Sequence, residues 1–113
     1  MAAEVDGKVV GIVEGYIPPN IRPRLLWITW IVVDKRYRRR HVGSALISGL
    51  EMGVGIKWQM VQCGVRASNS ASNSMFRGLG YKKVGVIKHP DSVNSYRWEK
   101  LLQPHHKRGR VNA

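Results

Sequence analysis

From Val32 to Leu50 the chain reads VVDKRYRRRHVGSALISGL: the end of an apolar strand, a basic turn, then the opening of a helix. No other stretch restricts the fold as much. A strand that feeds a helix through a short turn belongs to a layered α/β architecture, with the helix lying back on the sheet. The turn carries Arg36, Arg38, Arg39 and Arg40, and Gly43, Ser44 and Ala45 follow. A helix start exposes backbone N–H groups without intrahelical partners, together with the positive end of the helix dipole. A glycine there lets an anion reach the backbone, and arginines add charge-assisted hydrogen bonds. The segment is therefore suited to a polyphosphate; a solvated basic turn is the plainer alternative.

The flanking chain supplies the other layer. Asp6-Gly7 is a hairpin-turn pair, and Lys8–Ile17 is rich in β-branched residues, so it is predicted as a strand ended by Pro18 to Pro23. Arg24–Asp34 is a second strand, apolar enough to be buried on both faces and to pair antiparallel with the first. A helix is expected from Val42 to about Gly55, and a third strand from Trp58 to Arg66. In SNSASNS, Asn69 or Ser70 can cap a second helix that runs to Leu79 and stops at Gly80. Lys82–Lys88 and Ser95–Leu101 read as a closing strand pair joined by HPDSVN. The expected order is β-β-α-β-α-β-β, one domain over 1–102 of α/β (α+β) class, with helices packed on a mixed sheet and a basic tail over 103–113.

Net charge is +12, from 19 Lys and Arg against 7 Asp and Glu, which favours an anionic partner: a phosphate-bearing cofactor, nucleic acid or another acidic molecule. The one cysteine, Cys63, excludes an internal disulfide and sits in an apolar run, so it is expected to be a buried thiol. No apolar run approaches the roughly 18 residues of a membrane span, and the N-terminus lacks a signal-peptide pattern. A soluble, cytoplasmic protein is expected. His41 is expected at the surface, and Trp27, Trp30, Trp58 and Trp98 in the core or an interface. His89, His105 and His106 lack partners at metal-ligand spacing, so no metal is assigned.

Three segments together resemble the GNAT superfamily of N-acetyltransferases. The basic turn is similar to its acetyl-coenzyme-A motif, Q/R-x-x-G-x-G/A, set between V-x-P-x-Y-R and G-x-x-L; Val33, Tyr37, Arg38, Gly43 and Leu46 match in register. A shifted match, Arg40-x-x-Gly43-x-Ala45, loses Leu46. NSASNSMFRGLGY resembles N-x-x-A-x-x-L/F-Y-x-x-L-G-F through Asn69, Met75, Leu79, Gly80 and Tyr81, and DGKVVGIVEGYI resembles the family hairpin. Two departures stand out: the first motif glycine is His41, and the position of a frequent tyrosine general acid is Phe76. Members also usually carry a strand and two helices ahead of the hairpin with which this chain begins.

The resemblance implies a centrally splayed sheet and acetyl transfer from acetyl-coenzyme A to an amine by direct attack. It implies a donor site in which Arg38, Arg39, Arg40, His41, Val42, Gly43 and Ser44 grip the pyrophosphate. Ile31, Val32 and Val33 would offer backbone N–H groups beside the thioester, Asn69 would meet the pantetheine arm, and Phe76 would lie at the sulfur end. Glu14, the acidic residue inside the Lys8–Ile17 strand, is the candidate base. A small amine, a peptide N-terminus or a lysine would be the acceptor. A homodimer is expected to cover open sheet edges and the incomplete cleft wall. The competing readings are a non-catalytic coenzyme-A-binding module and a basic nucleic-acid-associated protein.

Overall fold

β-Branched and aromatic residues in alternation, broken by proline and glycine, set the strand lengths of this chain. The computed structural model describes residues 1–20, 24–54 and 60–102. Its elements are β1 (Ala2–Val5), β2 (Lys8–Tyr16), β3 (Leu25–Val33), a 3-10 turn (Lys35–Tyr37), α1 (Val42–Val54), β4 (Met60–Arg66), α2 (Ser70–Gly78), β5 (Lys82–Ile87) and β6 (Ser95–Leu101). The six strands form one sheet in the order β1-β2-β3-β4-β6-β5. β3 and β4 run parallel, joined through α1, and the other neighbours are antiparallel. The expected mixed α/β architecture is therefore present, with one strand more than the sequence order counted. β1 is four residues long and mostly exposed, so it carries no apolar alternation to announce it. Its pairing with β2 is what the Asp6-Gly7 turn implies. The expected helix end at Gly55, the start of the third strand at Trp58 and the tail 103–113 lie outside the described residues.

One face of the sheet holds both helices. Val61, Cys63 and Val65 alternate along β4 and are buried in a single cluster with Leu46 and Ile47 of α1 and Phe76 of α2. α1 sits directly on the β2 backbone: a Cβ at Gly11 would stand 3.0 Å from Leu46 Cδ1 and 3.1 Å from Val42 Cγ1. α2 begins at Asn69, whose side chain accepts from the Ser72 N–H, and ends before Gly80 at φ +94°, a conformation that glycine adopts without penalty.

Polar side chains knit the helices to the sheet. Buried Asn73 accepts from the indole N–H of Trp98 at 2.8 Å and donates to the carbonyls of Arg66 and Asn69. Glu51, late in α1, accepts from the Tyr81 hydroxyl at 2.7 Å and from Lys100 Nζ at 3.0 Å. Burial and the Glu51 contact push the Tyr81 hydroxyl well above its ordinary range.

The other face is less covered than the sequence implies. β3 was expected to be buried on both faces, yet Thr29, Trp30 and Val32 are exposed. Both crossover helices cover the opposite face, so among the described residues no element packs over Trp30. Its indole N–H donates to Glu14 Oε1 at 2.8 Å instead of entering the core. Trp98 is buried as expected, Trp27 is half-buried, and Trp58 lies outside the described residues.

Candidate functional site

The sheet opens where the basic turn begins. β3 and β4 are paired from Leu25↔Met60 to Ile28↔Cys63 and no further. Beyond that point β3 continues to Val33 against β2 alone, and β4 continues to Arg66 against β6 alone. A bulge accompanies the divergence: Glu14 opposes Trp30 while Gly15 opposes Ile28, which leaves Thr29 as the extra residue. Bulges bend a strand and stop its ladder. Residues 29–33 therefore present a run of backbone groups with no strand on their outer side, the position an extended ligand can take as an added strand.

The turn that follows is closely held. The Asp34 N–H donates to the Val10 carbonyl at 2.7 Å, and its carboxylate caps the 3-10 turn by accepting from the Arg36 N–H at 2.9 Å. That backbone contact and the Arg36 guanidinium hold the Asp34 carboxyl below its ordinary value. Arg39 (φ +65°) and His41 (φ +62°) then adopt left-handed backbone, which costs a non-glycine residue roughly 1 kcal/mol or more. The His41 carbonyl accepts from the Ala45 N–H at 3.0 Å, the first bond of α1. The opening N–H groups of α1 have no intrahelical acceptor.

A cavity of about 640 Å³ lies over this corner. Its walls include Ile31, Val32 and Val33 of β3, Tyr37, Arg38, Arg39 and His41 of the turn, Val42, Gly43 and Ser44 of α1, and Asn69, Ala71, Ser72 and Met75 at the start of α2. Two helix N-termini thus converge on one space whose described lining contains three basic side chains and no carboxylate. Such a lining fits a polyphosphate at the turn, and apolar Ile31, Val33 and Met75 fit an uncharged arm beside it. Gly43 leaves the space open: a Cβ there would stand 3.0 Å from Met75 Sδ.

Ten residues expected at a donor site line this cavity: Ile31, Val32, Val33, Arg38, Arg39, His41, Val42, Gly43, Ser44 and Asn69. Arg40 and Phe76 do not. The Arg40 guanidinium lies over the Tyr37 ring at 5.4 Å. Phe76 is 2% exposed in the core, edge-on to Tyr81 with ring centroids 5.0 Å apart. Glu14 is exposed on the face away from both helices, held by the Trp30 indole. Tyr37, Ala71, Ser72 and Met75 are wall residues that were not anticipated. All four fall inside the two matched motifs, which was the available signal. Among the described residues there is no group of three or more His, Cys, Asp and Glu placed to hold a metal ion, and no helix long and apolar enough to cross a membrane.

The comparisons with known proteins agree with the fold. The family model described as "Acetyltransferase (GNAT) family" matches residues 1–81. An N-alpha-acetyltransferase of Sulfurisphaera tokodaii is 36% identical over 101 residues, covering 77% of this chain and 58% of the relative. The chain thus spans little more than half the length of that protein. The solved structure of Ard1 from Thermoplasma volcanium superposes with a TM-score of 0.76 at 26% identity, over 88% of this chain and 68% of that one. An aminoglycoside 6'-N-acetyltransferase complexed with coenzyme A shares the fold, with a TM-score of 0.76 at 19% identity over 92% and 72% of the two chains. With its splayed sheet, basic turn and two matched motifs, this chain belongs to the acetyltransferase (GNAT) family.

Proposed function

We propose that this protein binds acetyl-coenzyme A in the cavity between the β3–β4 divergence and the start of α1, and transfers the acetyl group to a primary amine. The observation that carries the reading is the meeting, in one cavity, of unpaired β3 backbone, a cation-lined turn and two helix N-termini. Bound acetyl-coenzyme A supplies an activated thioester. Arg38, Arg39 and His41, with the N–H groups of Val42, Gly43 and Ser44, hold the phosphates. Ile31 to Val33 align the arm along β3, and the N–H groups of this stretch that alternate to the open edge, away from β2, stabilise negative charge that develops on the acetyl oxygen during attack. Asn69 already spends its side-chain oxygen on capping α2, so its amide NH2 is the group left to meet the arm.

The attacking amine must arrive neutral, and its proton leaves to a base. Glu14 is the carboxylate nearest to the divergence along β2, opposite Trp30 in register, and receives the proton directly or through water. No side-chain acid is required, since Phe76 offers none and the departing thiolate takes its proton from solvent. The acceptor is a small amine, a peptide N-terminus or a lysine; the match to an N-alpha-acetyltransferase favours the peptide N-terminus.

The test is thiol release from acetyl-coenzyme A in the presence of peptides with free or blocked N-termini, lysine, and small amines, with the product identified by mass. Release that requires an unblocked amine, and falls at least tenfold in Glu14→Gln, is the expected result. Binding of the donor with no acceptor-dependent release would favour a non-catalytic coenzyme-A module, the alternative that buried Phe76 supports.

A further inference from the structure

The donor cavity accounts for only part of the positive charge. Its described lining carries Arg38, Arg39 and His41, whereas the chain holds 19 Lys and Arg. A second group of cations gathers around β5, at the far edge of the sheet. β4 and β6 separate β5 from β3, so it stands about 14 Å from the strand that borders the cavity. Lys82, Lys83 and Lys88 lie on or just after β5, Arg97 lies on β6 and Arg77 in the last turn of α2, and each of them is exposed. Among the described residues none of these side chains is in an ion pair. The carboxylates of the surrounding elements are already engaged, Asp91 by Arg66, Glu99 by Gln62 and Glu51 by Lys100. We propose that the β5 edge is a docking surface for the phosphate backbone of duplex nucleic acid, separate from the donor cavity.

Strand register sets how the cations are arranged. Lys83 is paired with buried Trp98, so it falls on the helix-covered face, and the Arg77 guanidinium lies over the same Trp98 ring at 5.4 Å. Lys82 is paired with Glu99 and Gly85 with Arg97, on the opposite face. A Cβ at Gly85 would stand 3.5 Å from an Arg97 guanidinium nitrogen, so the glycine leaves room for that side chain across the edge strand. Lys82 to Lys88 spans about 20 Å, roughly six base pairs of duplex axis at about 3.4 Å each. Cations on both faces of one strand can meet phosphates on both sides of a groove. Proteins that hold single strands stack bases on open aromatic rings. Here Lys83 covers the Tyr96 ring at 4.1 Å and Trp98 is buried, which favours the duplex. An acidic peptide would add to the edge as a further strand. Val84, however, is the extra residue of a bulge between β5 and β6, and bulges turn an edge away from further pairing.

Fluorescence anisotropy with labelled random-sequence DNA and RNA duplexes, single strands and polyglutamate tests this with the full chain over a range of salt. The parent is expected to bind a duplex, of either sugar, more tightly than single strands or polyglutamate. Its log affinity should fall linearly with log salt concentration. Lys82→Gln with Lys83→Gln should flatten that slope by roughly one unit per lysine and weaken binding by roughly tenfold at low salt. Lys82→Arg with Lys83→Arg should retain it. Lys8→Gln with Lys35→Gln removes the same charge away from β5 and is expected to bind as the parent does. Affinity for acetyl-coenzyme A, measured by calorimetry, should be equal in the parent and in Lys82→Gln with Lys83→Gln. A parent that binds no duplex, equal losses in the two glutamine pairs, or tighter binding of single strands or polyglutamate would overturn the inference and leave the donor site standing. A matching loss of acetyl-coenzyme A affinity would overturn it too, because the two surfaces would then not be separate.

Discussion

Asn73 shows how a single polar side chain holds the corner that carries the site. Its amide oxygen accepts from Trp98 and its NH2 serves two backbone carbonyls. Asn73→Leu keeps the volume but leaves the buried Trp98 indole N–H without a partner, at about 1–3 kcal/mol for an unsatisfied group, while the Arg66 and Asn69 carbonyls keep their backbone N–H donors. Urea denaturation should show that loss, with fluorescence of Trp98 shifted. Nothing in SNSASNS singles out Asn73 from its polar neighbours, because its burial depends on where Trp98 arrives across the sheet. Cys63 was legible, since an apolar run around a lone thiol predicts burial. That burial pushes the thiol up to about 12. The native thiol should resist alkylation at pH 8 and react only on unfolding. The unfolded thiol ionises near its ordinary value of 9.0, so the contribution of Cys63 to stability is complete below pH 9 and is lost as pH rises toward 12.

At the scale of elements, α2 was readable almost to the residue, because its cap, its length and its terminating glycine are local signals. β3 was not. Its apolar run reads as a strand covered on both faces, whereas the bulge at Thr29 and the parting from β4 expose Trp30 and Val32. Those features arise from the pairing of strands distant in sequence. The same is true of the meeting of two helix N-termini over one cavity. The seat of α1 on Gly11 is equally tertiary: Gly11→Val would drive two methyl groups into Leu46 and Val42. A loss of about 1–3 kcal/mol is expected by chemical denaturation, and donor affinity should fall with it as the turn shifts. The β5–β6 hairpin has its own pH signature. The Val93 N–H and then the Arg66 guanidinium hold the Asp91 carboxyl below its ordinary value of 3.8. Its contribution is present above that value and is lost as pH falls below it. Asp91→Asn should therefore be slightly less stable than the parent at pH 7 and should match it near pH 2. Both partners are exposed, so the difference at neutral pH is small.

For the molecule as a whole, the two helices on one face leave the opposite face of β2 and β3 uncovered among the described residues, with Ile12 40%, Trp30 46% and Val32 49% exposed side by side. The +12 charge anticipated an anionic ligand without saying which, and the family motifs narrowed it to a donor. The acceptor stayed illegible because its cleft is built by tertiary neighbours, not by a local motif. The central claim is that the cavity over Gly43 holds acetyl-coenzyme A. It is tested most directly by calorimetry of the parent and of Gly43→Trp, with the fold of the variant checked by circular dichroism. Micromolar binding in the parent, lost in a folded Gly43→Trp, is the predicted result. A parent that does not bind, or a folded Gly43→Trp that binds equally well, would contradict it.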